Sequence, residues 1–236
     1  NVKANSIQNV ELNFEISEEG EHLATVEIED NSLIFDNQHR LVLNVGNIIN
    51  ILSISDSSQS HYRKLYANEK TFDFSHSNVK YIPFGELSKF NLIILEELKN
   101  IPNSLISEFL NLKNVSILVI PNSELDFENY NSFFLKMGVL VKSSNNEKMQ
   151  IALPDKGNTF FDDVFTKKDS KVKMPFLNPI FKINDEISIL NYNSGAKAVV
   201  KGGNNNNVFI STSPFTSPNS DFLNHSFIVP FMYKMA

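Results

Sequence analysis

Three short apolar runs constrain the architecture of this chain most. They are Ile48-Ile49-Asn50-Ile51-Leu52-Ser53-Ile54, Asn91-Leu92-Ile93-Ile94-Leu95 and Val115-Ser116-Ile117-Leu118-Val119-Ile120. A strand with one wet face alternates apolar and polar residues. A run that barely alternates is covered on both faces, as parallel strands between helices are. The segments between and after these runs carry helical spacing. Tyr62, Leu65 and Tyr66 share a face within residues 60–68, and Leu105, Ile106, Phe109 and Leu110 share one within 102–112, where Pro102 suits a first turn. Phe127, Tyr130, Phe133, Phe134 and Met137 do so within 126–137, and Gly138 is placed to stop that helix. Strand and helix in alternation predict βαβ units around a parallel central sheet, an α/β three-layer Rossmann-like domain over residues 46–236.

The flanking regions read as β. Val10, Leu12, Phe14 and Ile16 alternate with Glu11, Asn13 and Glu15. Leu23, Ala24, Val26 and Ile28 predict a second strand, Leu33-Ile34-Phe35 a short third, and Leu41, Leu43 and Val45 another. Residues 1–45 are therefore expected to form a small antiparallel β segment, part of a sandwich. After Gly138, short strands are expected at 139–141, 149–153, 180–183, 187–191, 196–200 and 208–211. Asn193-Ser194-Gly195 and Gly202-Gly203 mark turns, and Phe160 to Phe165 a helical turn. A last helix is expected over Leu223 to Ala236, with Pro230 inside it.

Composition narrows the chemistry. The chain has no cysteine, which removes disulfides, thiolate nucleophiles and Cys-ligated metals. Its net charge of −6 and its lack of a long basic run argue against nucleic acid as a partner. The basic cluster Lys167-Lys168-Asp169-Ser170-Lys171-Val172-Lys173 is read as a solvated loop. No run of apolar residues is long enough to span a bilayer, and Asn1 opens a polar stretch without the pattern of a signal peptide. The chain opens without Met and stops inside a predicted helix, so it is read as a piece of a longer protein.

Few local patterns point to a site. Asp56-Ser57-Ser58-Gln59-Ser60 follows the first apolar strand and matches Asp-x-Ser-x-Ser, the metal-ion-dependent adhesion motif of von Willebrand A domains. A carboxylate and two hydroxyls at the C-terminal end of a parallel strand are hard oxygen ligands, so Asp56, Ser58 and Ser60 are candidate ligands of a divalent cation. The complete motif has a further acidic residue after a later strand, where this chain has Pro121-Asn122-Ser123. Ser58 and Ser60 also suit the cap of a following helix. Ser123 lies between a strand and a helix, as an elbow nucleophile does, but no glycine flanks it. The five histidines, His22, His39, His61, His76 and His225, form no short-spaced ligand pair. Of the adjacent Glu96 and Glu97, Glu97 is read as solvated and Glu96 as a weak site candidate. No catalytic residue, cofactor or resident metal is assigned.

The order of segments carries a resemblance. Glu27 to Asn37 precedes an alternating strand. Next come the strand at Ile51, Leu92-Ile93-Ile94-Leu95-Glu96-Glu97-Leu98, Ile101-Pro102, Ile117-Leu118-Val119-Ile120-Pro121 and Tyr130-Asn131. The chain closes with Ser213-Pro214-Phe215, Asp221-Phe222 and His225-Ser226-Phe227-Ile228-Val229-Pro230. This resembles the extracytoplasmic region of BatA-type bacterial membrane proteins, a family named for an association with aerotolerance. The resemblance implies an immunoglobulin-like β segment followed by a domain similar to class I glutamine amidotransferases. It also implies a periplasmic location in a longer protein anchored by transmembrane helices outside this chain. Working amidotransferases use a Cys on an elbow with a downstream His and Glu. Here Pro121-Asn122-Ser123 stands at the likely elbow position, so the resemblance implies the fold without the chemistry. The expected role is a non-catalytic interaction or scaffolding module whose partners are other envelope proteins or other domains of its own chain. A divalent-metal-dependent ligand-binding domain using the Asp56 loop is the alternative.

Overall fold

The computed structural model describes residues 10, 12–16, 18, 20–28, 37–46, 48–68, 70–144, 147–154, 160–161, 164–165, 172–203 and 207–236. The chain divides into two compact units, Asn1–Ile48 and Ile49–Ala236. In the first, β1 (Gly20–Glu27) and β2 (Gln38–Val45) form an antiparallel pair in continuous register from Gly20 opposite Val45 to Glu27 opposite Gln38. The strand expected at Val10 to Ile16 does not form among its described residues, and Val10, Leu12 and Phe14 are exposed. Alternation alone does not make a strand when no partner supplies the ladder and no core receives the apolar face. The strand expected at Leu33-Ile34-Phe35 lies outside the described residues, as does most of the basic cluster from Lys167 to Lys171.

The second unit is mixed α/β and is built on a seven-stranded, mostly parallel sheet. Its elements are β3 (Ile49–Ser55), β4 (Phe72–Asn78), β5 (Leu92–Leu98), α1 (Asn103–Phe109), β6 (Ser116–Pro121) and α2 (Phe127–Lys136). There follow two-residue strands β7 (Lys142–Ser143), β8 (Met149–Gln150), β9 (Phe176–Leu177) and β10 (Phe181–Lys182). The chain then runs through β11 (Ile187–Asn191), β12 (Lys197–Gly202), β13 (Val208–Ser211) and α3 (Ile228–Met235). The sheet order is β11-β12-β13-β6-β5-β3-β4, and β13 through β4 run parallel. This order is compatible with a Rossmann-like fold. The first strand of the unit, β3, lies between β4 and β5, so the chain reverses its direction of sheet growth there.

Both faces of the central strands are covered, which explains the continuous apolar runs. Leu52, Ile54, Ile93, Leu95, Ile117 and Val119 pack with the inner faces of α1 and α2. Ile51, Leu92, Ile94, Leu118 and Ile120 face the other layer, with Tyr62, Tyr66 and α3. Phe215, Phe222, Phe227 and Phe231 knit that layer, with ring centroids 4.6 Å apart for Phe215 and Phe222 and 5.1 Å for Phe222 and Phe231. Asp126 caps α2 by accepting from the backbone N–H groups of Glu128 and Asn129, and Gly138 follows it at φ +83°. Pro230 falls in the first turn of α3, where its missing N–H costs no helical bond.

Several elements are shorter than their patterns predict. Residues 61–66 form turns rather than an α-helix, and residues 139–141 are not a strand. The helical spacing of Tyr62, Leu65 and Tyr66 nonetheless serves the core: Tyr62 and Tyr66 are fully buried, and Tyr66 Oη donates to the Met232 carbonyl at 2.7 Å. Strand β4 was not marked by any apolar run. It is an edge strand in which Phe72 is buried while Asp73 is exposed. Among the described residues no helix is long and apolar enough to cross a membrane.

Candidate functional site

The chemistry gathers at the C-terminal ends of β3 and β5. In an open α/β sheet the crevice where chain direction reverses is the usual ligand position. Ser53 interrupts the first apolar run on the face shared with Ile51, and Glu96 follows Ile94 on the same face of β5. Ser55 and Glu96 are register partners. Both Ser53 and Glu96 are buried, and a buried carboxylate needs donors. Glu96 has three. Ser53 Oγ donates to Oε2 at 2.6 Å, while the His61 backbone N–H and His61 Nδ1 reach Oε1 at 2.8 and 2.6 Å.

The bond to Glu96 sets the state of the His61 ring. An ionised carboxylate only accepts, so Nδ1 carries the proton, and the neutral imidazole has its lone pair on Nε2. The His61 side chain is 50% exposed while that of Glu96 is 2% exposed. The pair is therefore anchored inside and presented outside.

The Asp56 loop is held by neighbours on both sides. Ser55 Oγ accepts from the Ser57 N–H at 3.2 Å and bonds His76 Nε2 at 2.9 Å. Asn78 Nδ2 donates to the Asp56 carbonyl at 3.0 Å, and Ser60 Oγ accepts from the Tyr62 N–H at 3.0 Å. Ser60 thus caps a turn rather than a helix. Asp56, Ser57, Ser58 and Gln59 are exposed, and the Asp56 carboxylate accepts from the Lys99 N–H at 3.4 Å. Lys99 Nζ in turn meets Glu124 Oε2 at 2.5 Å, a contact that raises the lysine pKa and lowers that of the glutamate. Among the described residues no three His, Asp or Glu side chains gather as a metal-binding group.

Glu97 is not the solvated residue its sequence position implied. It sits at φ +48°, in the left-handed region that is uncommon for a residue with a Cβ, beside a register shift between Glu96 and Leu98. This turn of the backbone aims its carboxylate at the loop after β13. Oε1 accepts from the Phe215 and Thr216 N–H groups at 2.8 and 2.9 Å, and Oε2 from Thr216 Oγ1 at 2.6 Å. Asn122 Nδ2 holds the Glu97 carbonyl at 2.7 Å. One residue therefore ties the loops after β5, β6 and β13 together.

Tyr62 completes the cluster from below. Its hydroxyl is buried and has no hydrogen-bond partner among the described residues. Burial, reinforced by the Glu96 and Glu97 charges, raises its pKa well above the ordinary phenol value. Ser123 is exposed on a turn, and among the described residues no histidine bonds it. His22 and His225 bond the carbonyls of Glu18 and Lys173, far along the chain from this cluster. Sequence spacing could not reveal the Ser53–Glu96–His61 group, because its members are separated by 43 and 35 positions.

No family model matches the chain, and no curated protein matches it. Solved structures do. A protein from Thermoplasma acidophilum described as a GMP synthase subunit matches at 12% identity and TM-score 0.49, over 80% of this chain and 94% of that one. A ThuA-like protein from Bacteroides uniformis aligns at 10% identity and TM-score 0.47, over 82% of this chain and 92% of that one. A β-galactosidase from Marinomonas ef1 aligns at 8% identity and TM-score 0.46, covering 79% of this chain, which spans 28% of the enzyme. All three are likenesses at low identity.

Proposed function

We propose that this chain is a non-catalytic interaction or scaffolding module with an amidotransferase-like α/β domain and an immunoglobulin-like β segment before it. It belongs to the extracytoplasmic part of a membrane-anchored envelope protein of the BatA type. Its partners are other envelope proteins or other domains of the same chain. The observation that carries this reading is the commitment of the edge residues to one another. Glu96 and Glu97 each receive three internal hydrogen bonds, and Ser55 is engaged by Ser57 and His76. A nucleophile needs a base in reach, an open approach and donors for the developing oxyanion; Ser55 Oγ has His76 Nε2 at 2.9 Å but is buried at 2% exposure. The carboxylates here fasten loops instead, which favours a fixed binding surface over a reacting one.

The test is turnover. Incubation with glutamine or with model esters is expected to release no product above the uncatalysed rate. Hydrolysis that disappears in Ser123→Ala overturns the reading. The same samples address the metal alternative. A single carboxylate, Asp56, among hydroxyls holds a hard cation weakly. Millimolar magnesium or calcium is therefore expected to leave the melting temperature unchanged. An upward shift lost in Asp56→Ala moves the reading to a metal-dependent ligand-binding domain, since a ligand at a hundredfold excess over its Kd stabilises by about 2.7 kcal/mol.

A further inference from the structure

We infer that the crevice between β3 and β5 binds an ammonium group, with His61 Nε2 as the acceptor that meets it. Three observations converge on this assignment. The first is position, at the reversal point of the sheet between two neighbouring parallel strands. The second is the state of the ring. Glu96 takes the proton-bearing Nδ1 at 2.6 Å, which leaves Nε2 as a lone pair with no hydrogen-bond partner among the described residues. A carboxylate behind a histidine fixes its orientation and strengthens its far nitrogen as a ligand or acceptor. The third is charge. Asp56, Glu96 and Glu97 all stand at the ends of these two strands, and the neighbouring ammonium of Lys99 is paired with Glu124.

An acceptor nitrogen backed by the Glu96 carboxylate disfavours anions and favours a cationic N–H donor. An ammonium brings three donors and a full charge. It can engage Nε2 with one donor and the solvent with the others. The bonds from Ser53 Oγ and the His61 backbone N–H keep the Glu96 carboxylate from following the incoming cation, so the ring does not turn away from its buttress. Two sources carry this chemistry, a free amine and the lysine side chain of a partner protein.

The inference rests on reading this edge as a binding surface, and its test is separate from the hydrolysis assay. Nitrogen-detected NMR of the histidine rings at about pH 8, where imidazole is neutral, gives the tautomer of His61 directly. The chain is then titrated with n-butylammonium, a blocked lysine tripeptide and, as control, acetate. A proton on Nδ1 is expected, with a saturable shift of Nε2 on adding either amine and none on adding acetate. A stronger response to the peptide assigns the site to a protein partner; equal responses assign it to a free amine. Glu96→Gln is expected to weaken the response about tenfold. His61→Gln keeps a side-chain N–H to offer Glu96 and leaves the Ser53 Oγ and residue-61 backbone N–H donors in place, so it guards against loss of the fold; in it the amide shifts of Ser57 to Ser60 are expected to stop responding to the amines. A neutral His61 carrying its proton on Nε2, no response to either amine, or an equal response to acetate overturns the inference.

Discussion

The two ends of the parallel sheet solve one problem with different chemistry. At the N-terminal end, asparagines close the strand entrances. Asn91 Oδ1 accepts from the Asn50 N–H at 2.8 Å, Asn50 Nδ2 reaches the Lys89 carbonyl at 3.3 Å, and Asn207 Nδ2 reaches the Val115 carbonyl at 2.7 Å. At the C-terminal end the same bridging is done by Glu96 and Glu97, with Ser53, His61 and Thr216 as donors. An amide is neutral at every pH and supplies both donor and acceptor. A buried carboxylate bonds more strongly but is costly to strand. The contrast places charge, and with it sensitivity to substitution, at the end where open α/β sheets bind their ligands.

Removing Glu96 is the severest challenge to this contrast. Glu96→Ala leaves Ser53 Oγ and the His61 N–H buried or half-buried without their acceptor, and is expected to cost roughly 3 kcal/mol or more. In a domain of this size that lowers the melting temperature by roughly 6–12 °C. Glu96→Gln keeps the shape and is expected to cost about half as much. Equal melting temperatures for Glu96→Ala and the parent chain would show that the carboxylate cluster is dispensable to the fold.

Alkali probes the core through its buried phenols, two of which feel the charge at the C-terminal end. Tyr62, Tyr66, Tyr130 and Tyr192 are buried, and burial raises the pKa of each above the ordinary phenol value. Glu97 adds to the effect at Tyr62 and Tyr130. Above about pH 10 the unfolded chain releases these protons and the folded chain retains them, so stability is full below that pH and falls as pH rises through and beyond it. Phenolate absorbance from these four rings is expected to rise together with loss of the helical circular dichroism signal. Ionisation of all four while that signal persists would contradict their burial.

The asparagine end is expected to respond least. Asn91→Ala removes one neutral hydrogen bond and is expected to cost about 1 kcal/mol, with the same loss at every pH where the chain is folded. Thermal melts across pH compare it with Glu96→Ala. A larger effect at Asn91 than at Glu96 reverses the ranking of the two ends.

The central sheet was legible in the sequence because burial on both faces suppresses alternation. The runs at Ile51, Ile93 and Leu118 gave three strands with their parallel sense. Strand β4 was not legible, since an edge strand needs no such run and Asp73, Ser75 and Ser77 disguise it. The Val10 to Ile16 pattern failed in the opposite way, with periodicity present and, among the described residues, no strand partner to use it. The site was legible in place but not in membership. Alternation correctly separates the directions of Glu96 and Glu97, yet only the left-handed backbone at Glu97 reveals that its carboxylate reaches Thr216. Ser53 is a lone hydroxyl within an apolar run, and only the structure shows it as the inner donor to Glu96.

The place of β13 beside β6 bears on how the chain reaches this structure. Strands β3 to β6 lie within residues 49–121 and connect through nearby crossovers, whereas β6 meets β13 across a separation of about ninety positions, Ile117 facing Val208. During synthesis the first four strands emerge while the flank of β6 still has open N–H and C=O groups. That flank stays available to other chains until the β11–β13 meander arrives, and long-range pairing of this kind closes slowly. Glu97 then acts as a latch on the newcomer: its carboxylate gains its three donors only after the segment following β13 is in position. The late step of assembly and the completion of the sheet's C-terminal edge are thus the same event, and a chain truncated before Val208 carries an open sheet and an unfastened edge together.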